Sequence, residues 1–237
     1  MIEARGLSKF YGGFAAIRDV SFKINRGEVV AFLGPNGAGK STTMKLLTGY
    51  LAPSDGRAFI AGHDMAEDRL AGSGVLGYLP ENGPLYTDMT PKALLEFFAT
   101  ARGLSGAKKR ERIDAVVELC SLKSVIGKPA GKLSRGYRQR LGMAHTLLHE
   151  PEVLIMDEPT AGLDPLVQHV FYGLLKEAQD GGATVFFSSH NLGEVQRVCD
   201  RVGIIREGRL IRSDSTDELT RTQYKKVRIA SDAPLSI

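Results

Sequence analysis

The sequence predicts an α/β fold with a helical lobe inserted into it. Short apolar runs of strand length alternate with segments whose apolar residues recur at helical spacing, the pattern of a sheet flanked by helices. One such run, Val29–Leu33, opens directly into a glycine-rich loop followed by a helical segment. From Pro91 to about His149 the β-branched runs all but vanish and helical periodicity takes over.

In chain order, Val29–Leu33 reads as a buried strand and Thr42–Leu51 as a helix. The turn Pro53-Ser54-Asp55-Gly56 precedes a strand at Ala58–Ala61, and Val75–Leu79 is another short strand closed by Pro80. Within the inserted section, Ile113, Val116, Val117 and Cys120 mark one helix face, and Tyr137, Leu141, Ala144 and Leu148 a second. Strand signals return at Val153–Met156, Thr184–Phe187 and Val202–Ile205. Between the first two of these lies a helix carrying Val167, Phe171, Leu174 and Ala178. The turn Arg206-Glu207-Gly208-Arg209 closes a final hairpin. After Ser213 the pattern weakens. Val227 and Ile229 alternate with Arg228 and Ala230 as at the start of a strand, so Asp214–Ile237 reads as the beginning of a C-terminal extension.

Composition narrows the class. The 237 residues are 43% hydrophobic and 24% charged, which excludes a disordered or fibrous chain. A chain of this size buries about 70% of its unfolded surface, enough for a real core. Cys120 and Cys199 lack CxxC spacing, against a disulfide framework or a zinc site. No apolar run approaches the roughly 18 residues of a membrane span, and the charged stretch Met1–Gly12 is no signal peptide. This composition predicts a soluble, cytoplasmic protein. The formal charge of +4 is mild, and Lys108-Lys109-Arg110 is followed by Glu111 and Asp114 with no aromatic residue interleaved. That cluster is a solvated helix face, and no nucleic-acid partner is expected.

Two motifs carry chemistry. Gly34-Pro35-Asn36-Gly37-Ala38-Gly39-Lys40-Ser41 matches the GxxxxGK[ST] phosphate loop, between a strand and a helix as that motif requires. Its glycines let backbone N–H groups converge on phosphate oxygens at a helix N-terminus. Lys40 supplies a point charge to the β- and γ-phosphates, Ser41 offers its hydroxyl to Mg²⁺, and Thr42 completes the cradle. The second motif is Val153-Leu154-Ile155-Met156-Asp157-Glu158, a buried strand ending in two carboxylates. Successive strand residues point to opposite sides, so Asp157 can serve Mg²⁺ while Glu158 accepts the proton of an attacking water.

Three further stretches narrow the field: Leu133-Ser134-Arg135-Gly136-Tyr137-Arg138-Gln139-Arg140, Ala161-Gly162-Leu163-Asp164, and Ser188-Ser189-His190. Together with the two motifs they resemble the ATP-binding subunits of ABC transporters, over roughly Met1 to Ser213. The resemblance implies a P-loop NTPase core, a RecA-like sheet with flanking helices. To this it adds an N-terminal antiparallel β subdomain and an inserted α-helical signature lobe at about 82–149. It assigns Ser134 and Gly136 to the signature motif, Asp164 to the D-loop and His190 to the switch histidine. Tyr11 takes the position of the aromatic that stacks on adenine, and Tyr78-Leu79-Pro80-Glu81 that of the Q-loop, making Glu81 a metal ligand. Ser134 and Asp164 also read as ordinary helix N-caps. Tyr11 also reads as strand packing and His190 as a surface histidine.

In that family two subunits meet head to tail and each lends its signature helix to its partner's ATP, so hydrolysis releases a ligand-dependent interface. A second nucleotide-binding subunit, identical or closely related, is therefore expected, with a separate integral-membrane permease at the inner face of the cell membrane. Glu81 stands where glutamine is usual, and Arg135 and Tyr137 depart from the usual Leu-Ser-Gly-Gly-Gln run. This combination resembles the branch serving ABC-2-type exporters, including gliding-motility systems. The competing expectation is a soluble ATPase of the same family acting on nucleic acid or ribosomes. The single phosphate loop and the absence of sustained heptads argue against it.

Overall fold

The computed structural model describes residues 1–81 and 86–221. The chain opens with a hairpin of β1 (Ile2–Tyr11) and β2 (Phe14–Ile24), which joins β4 (Asp55–Ile60) and the short β5 (His63–Asp64). These form a four-stranded antiparallel sheet in the order β2-β1-β4-β5. The second sheet contains β3 (Val29–Leu33), β6 (Leu76–Leu79), β7 (Val153–Met156), β8 (Thr184–Ser189), β9 (Arg201–Arg206) and β10 (Arg209–Ser215). Its order is β10-β9-β3-β8-β7-β6, parallel except for the β9–β10 hairpin. Glu207 (φ 50) and Gly208 (φ 75) turn that hairpin with two successive positive φ angles, the geometry that matches strand twist.

The parallel strands are apolar on both faces, and their alternation separates two cores. Val29 and Ala31 of β3, Leu154 and Met156 of β7, and Val185 and Phe187 of β8 face one. Val30, Phe32, Val153, Ile155 and Phe186 face the other, against the antiparallel sheet and α1 (Lys40–Leu47). There the rings of Phe22, Phe32 and Phe186 meet with centroids 4.9 to 5.3 Å apart.

The first core continues into helices α3 (Pro91–Ala101), α4 (Gly106–Leu119) and α5 (Arg135–Leu147), through Leu94, Leu95, Ala99, Val116, Val117, Leu141 and Ala144. Helices α6 (Pro165–Asp180) and α7 (Leu192–Val198) cover the same sheet face, while α2 (Arg69–Gly74) and α8 (Thr216–Arg221) are short. Side-chain caps fix several starts: Thr90 accepts from the Ala93 N–H, Asp164 from those of Leu166 and Val167, and Asn191 from those of Gly193 and Glu194. Among the described residues, no helix is long and apolar enough to cross a membrane.

The α/β class and the strand–loop–helix units read from sequence are those observed, with shifted ends. Helix α1 begins at Lys40 and stops at Leu47, because Gly49 adopts a left-handed φ of 68. Strand β4 begins inside the expected turn, at Asp55. A Cβ on Gly56 (φ 82) would lie 2.3 Å from the Gly6 carbonyl oxygen, so glycine permits the strand to continue there. Past Ser213, β10 continues to Ser215 and α8 follows; the alternation at Val227–Ala230 lies outside the described residues.

His145 and His149, at the end of α5, sit between lobe and sheet. Burial, reinforced by the Arg102 guanidinium, lowers both to about 4. His149 Nε2–H donates to the Leu76 carbonyl at 3.1 Å, and its Nδ1 is buried without a partner among the described residues. Both rings are therefore neutral when folded, whereas the unfolded chain protonates them below about 6.5. Stability is expected to fall as pH drops from 6.5 toward 4, by on the order of 2–3 kcal/mol for each ring. In thermal melts across that range, His145→Gln with His149→Gln should flatten the loss; an unchanged slope contradicts the assignment.

Candidate functional site

The loop after β3 is built around Lys40. Its side chain is 5% exposed, and Nζ donates to the carbonyls of Gly34 at 2.7 Å and Pro35 at 3.1 Å. The same Nζ lies 3.1 Å from Glu158 Oε1, so the buried cation has a carboxylate partner, as a charge removed from water requires. Glycine is needed at two points. Gly39 has φ 104, and a Cβ there would meet Ile17 Cγ2 at 2.7 Å and the Ala16 oxygen at 2.8 Å; at Gly34 a Cβ would meet the Ile205 oxygen at 2.3 Å.

Strand β7 delivers the two acids into different surroundings. Asp157 is buried, with Oδ1 accepting from Ser188 Oγ at 2.7 Å. Glu158 adopts φ 47, a strained left-handed conformation for a non-glycine residue, while its N–H donates to the same Ser188 Oγ at 2.8 Å. That turn places Glu158 Oε2 2.8 Å from His190 Nδ1, which donates to it from the end of β8. Lys40, Glu158 and His190 thus form one connected chain drawn from three loops.

This chain lines a cleft of about 590 Å³. The cleft is lined by Asn36, Gly37, Gly39, Lys40, Ser41 and Thr42 of the loop and helix start, by Glu81, Glu158 and His190, and by Tyr11. Gly34, Pro35 and Ala38 form the inner side of the loop, where Ala38 is buried and the Gly34 and Pro35 carbonyls face Lys40. Asp157 is buried and does not line the cleft, but Ser188 joins it to Glu158, which does. Ser134 and Gly136 are not brought into this cleft. Ser134 caps α5, its Oγ accepting from the Tyr137 N–H at 3.4 Å, and Gly136 packs toward Val167 of α6.

Sequence reasoning missed several participants. Phe14, 65% exposed, joins Tyr11 in the cleft across the Gly12-Gly13 turn, and an aromatic directly after a Gly-Gly pair was its available signal. Ser188 lies in a motif already singled out, but its bridging role depends on β7 and β8 being neighbours. Arg135 lies over Gly162, where a Cβ would meet its Nη1 at 2.5 Å, and Gln139 Nε2 donates to the Pro159 carbonyl at 2.7 Å. The first turns of α5 therefore grip the segment that follows Glu158.

Comparison with known proteins gives the family. The family model described as ABC transporter matches residues 17–161. The chain belongs to the ABC transporter family of ATPases. A probable multidrug ABC transporter ATP-binding protein, YbhF of Escherichia coli, is 40% identical over 92% of this chain, which spans 38% of that relative's length. The bacitracin transport ATP-binding protein BcrA of Bacillus licheniformis is 35% identical, over 95% of this chain and 73% of its own. A solved ATP-binding subunit of an ABC transporter superposes with a TM-score of 0.86 at 33% identity, covering 93% of this chain and 92% of the other. The cleft of this ABC domain is lined by the glycine-rich loop together with Tyr11 and Phe14 of the first hairpin.

Gly39→Ala tests that loop directly. Its forced Cβ contacts and left-handed φ are expected to cost on the order of 1–3 kcal/mol and to weaken binding of a fluorescent ATP analogue at least tenfold. Wild-type affinity in Gly39→Ala would contradict the close approach described.

Proposed function

We propose that this ABC domain hydrolyses ATP as one of a pair and drives a separate integral-membrane permease of the ABC-2-type exporter class. The observation that carries the reading is the Lys40–Glu158–His190 chain, set in a cleft that excludes the signature residues of its own chain. Residues 1–213 make up the ATP-binding domain, with the helical lobe at about 82–149 and 214–237 as an extension.

ATP enters with adenine against Tyr11 and its β- and γ-phosphates in the loop, where N–H groups and the α1 N-terminus meet negative charge. Lys40 exchanges its carbonyl partners for phosphate oxygens. Glu158 takes a proton from water as the water oxygen bonds to the γ-phosphorus and the bond to the bridging oxygen breaks, leaving ADP. His190 holds the other Glu158 oxygen through Nδ1–H, fixing the carboxylate's direction. Ser41 and Glu81 in the cleft, with Asp157 behind them, supply the hard oxygen donors Mg²⁺ prefers, and the bound ion would neutralise phosphate charge. Among the described residues no group of three or more His, Cys, Asp or Glu can hold a metal alone, as suits an ion held largely by substrate and water.

The second half of the site comes from a partner. Ser134 and Gly136 open α5, another helix N-terminus suited to phosphate, and a head-to-tail pair, identical or closely related, brings it to the neighbour's γ-phosphate. The permease contacts the lobe near Glu81, where the exposed rings of Tyr86 and Phe97 pack at 6.0 Å; the neighbouring residues 82–85 lie outside the described ones. In this reading the domain lies in the cytoplasm, peripheral on the inner face of the cell membrane, without a nucleic-acid partner. The names of the multidrug-transporter and bacitracin-transport relatives support a role in transport.

Glu158→Gln is expected to retain Mg-ATP and accumulate as a nucleotide-bound dimer by size exclusion with light scattering; a monomer under saturating Mg-ATP contradicts the paired site. Lys40→Ala is expected to lose ATP binding by at least a hundredfold in equilibrium dialysis, and near-native affinity would refute the cradle.

A further inference from the structure

Glu194 has no part in the chemistry described above, yet it is a carboxylate only 5% exposed on the first turn of α7. Its two oxygens serve different loops. Oε1 accepts from Thr160 Oγ1 at 2.5 Å, and Oε2 accepts from Ser189 Oγ at 2.6 Å. Thr160 is two residues past Glu158, and Ser189 immediately precedes His190. Ser189 Oγ also accepts from the Asn191 N–H at 3.0 Å, so the network is satisfied at every arm.

The position of this bridge explains why a charge is buried there. The β7–β8 ladder ends at the pair Met156 and Phe187, and the catalytic loops begin beyond it. Past that point, Ser188 ties the two strands at Asp157 and the Glu158 N–H, and Glu194 ties them again at Thr160 and Ser189. Along its own segment Glu158 lies between the two ties, and His190 directly follows the second one at Ser189. Burial and the nearby Glu158 charge push the Glu194 carboxyl up, while its two hydroxyl donors and His190 oppose them. An apolar side chain of equal size would leave both hydroxyls without their acceptor.

We propose that Glu194 is a positioning residue which, by joining Thr160 to Ser189, sets the separation of Glu158 and His190 on which hydrolysis depends. The inference rests on the roles given to Glu158 and His190 under Proposed function.

Steady-state ATPase kinetics of the full chain test it, with Glu194→Ala, Glu194→Gln, Thr160→Val and Ser189→Ala compared at equal folded concentration. Glu194→Ala is expected to lower kcat about tenfold or more, since sub-ångström displacement of a catalytic pair is costly, with KM for Mg-ATP within about threefold because Lys40 and its loop are untouched. Thr160→Val and Ser189→Ala, each removing one arm, are expected to lower kcat by smaller factors in the same direction, and they stand in if Glu194→Ala does not fold. Glu194→Gln keeps the span, its amide accepting from one hydroxyl and donating to the other, and should recover most of kcat. Unchanged kcat in Glu194→Ala or both single-arm variants overturns the proposal, as does Glu194→Gln no better than Glu194→Ala. Glu158→Gln and His190→Ala run alongside. If those two retain full turnover, the site reading itself has failed; if they lose it while the Glu194 series does not, only the positioning role has failed.

Discussion

Three parallel strands lying side by side in the order β3-β8-β7 are the constraint on which everything else depends. In an open parallel sheet the loops at the carboxyl ends share one edge, and residues far apart in sequence meet there. Lys40 follows β3, His190 follows β8, and Asp157 and Glu158 follow β7. Swapping any two strands would leave each motif intact and the site dispersed. The backbone ladder fixes the strands, but it stops short of the reactive side chains, so side-chain bridges through Ser188 and Glu194 must finish the alignment.

Electrostatics explains the internal arrangement. A lysine 5% exposed needs compensation, which two carbonyls and the Glu158 carboxylate provide. The same three partners hold Lys40 in the lining of the cleft. Glu158 is held by His190 on its other oxygen and by a strained backbone, so its direction is set by the fold. Strain of this kind persists only where the surroundings over-determine it, and here the Ser188 hydroxyl holds the Glu158 N–H in place. The contrast with Ser134 and Gly136 is informative. They belong to another helix N-terminus, outside the cleft, so a nucleotide bound by this chain alone meets one such end and not two.

Much of this was legible in the sequence, for identifiable reasons. Strands buried on both faces are continuous apolar runs, so Val29–Leu33 and Val153–Met156 announced themselves. The phosphate loop was legible because a phosphate cradle needs glycine at fixed offsets. Strands β1 and β2 were not delimited by their own residues: charges such as Arg5, Lys9, Arg18 and Asp19 interrupt them, and their pairing carries register shifts. Helix α3 begins at Pro91, where the helical section was expected to begin, but its own face was not marked out because Phe97 and Phe98 blur the apolar stripe, Phe97 lying exposed beside Tyr86. Glu194 gave no local sign at all, since its partner Thr160 stands 34 residues earlier and the contact exists only once α7 folds over the sheet.

Paired action of two half-sites is the central claim, and turnover per chain as a function of total chain concentration, at saturating Mg-ATP, measures it most directly. If each nucleotide needs a helix end from a second copy, turnover per chain is expected to fall steadily on dilution and to recover when the chain is concentrated again. A turnover per chain that stays constant down to the lowest measurable concentration would show that one copy suffices.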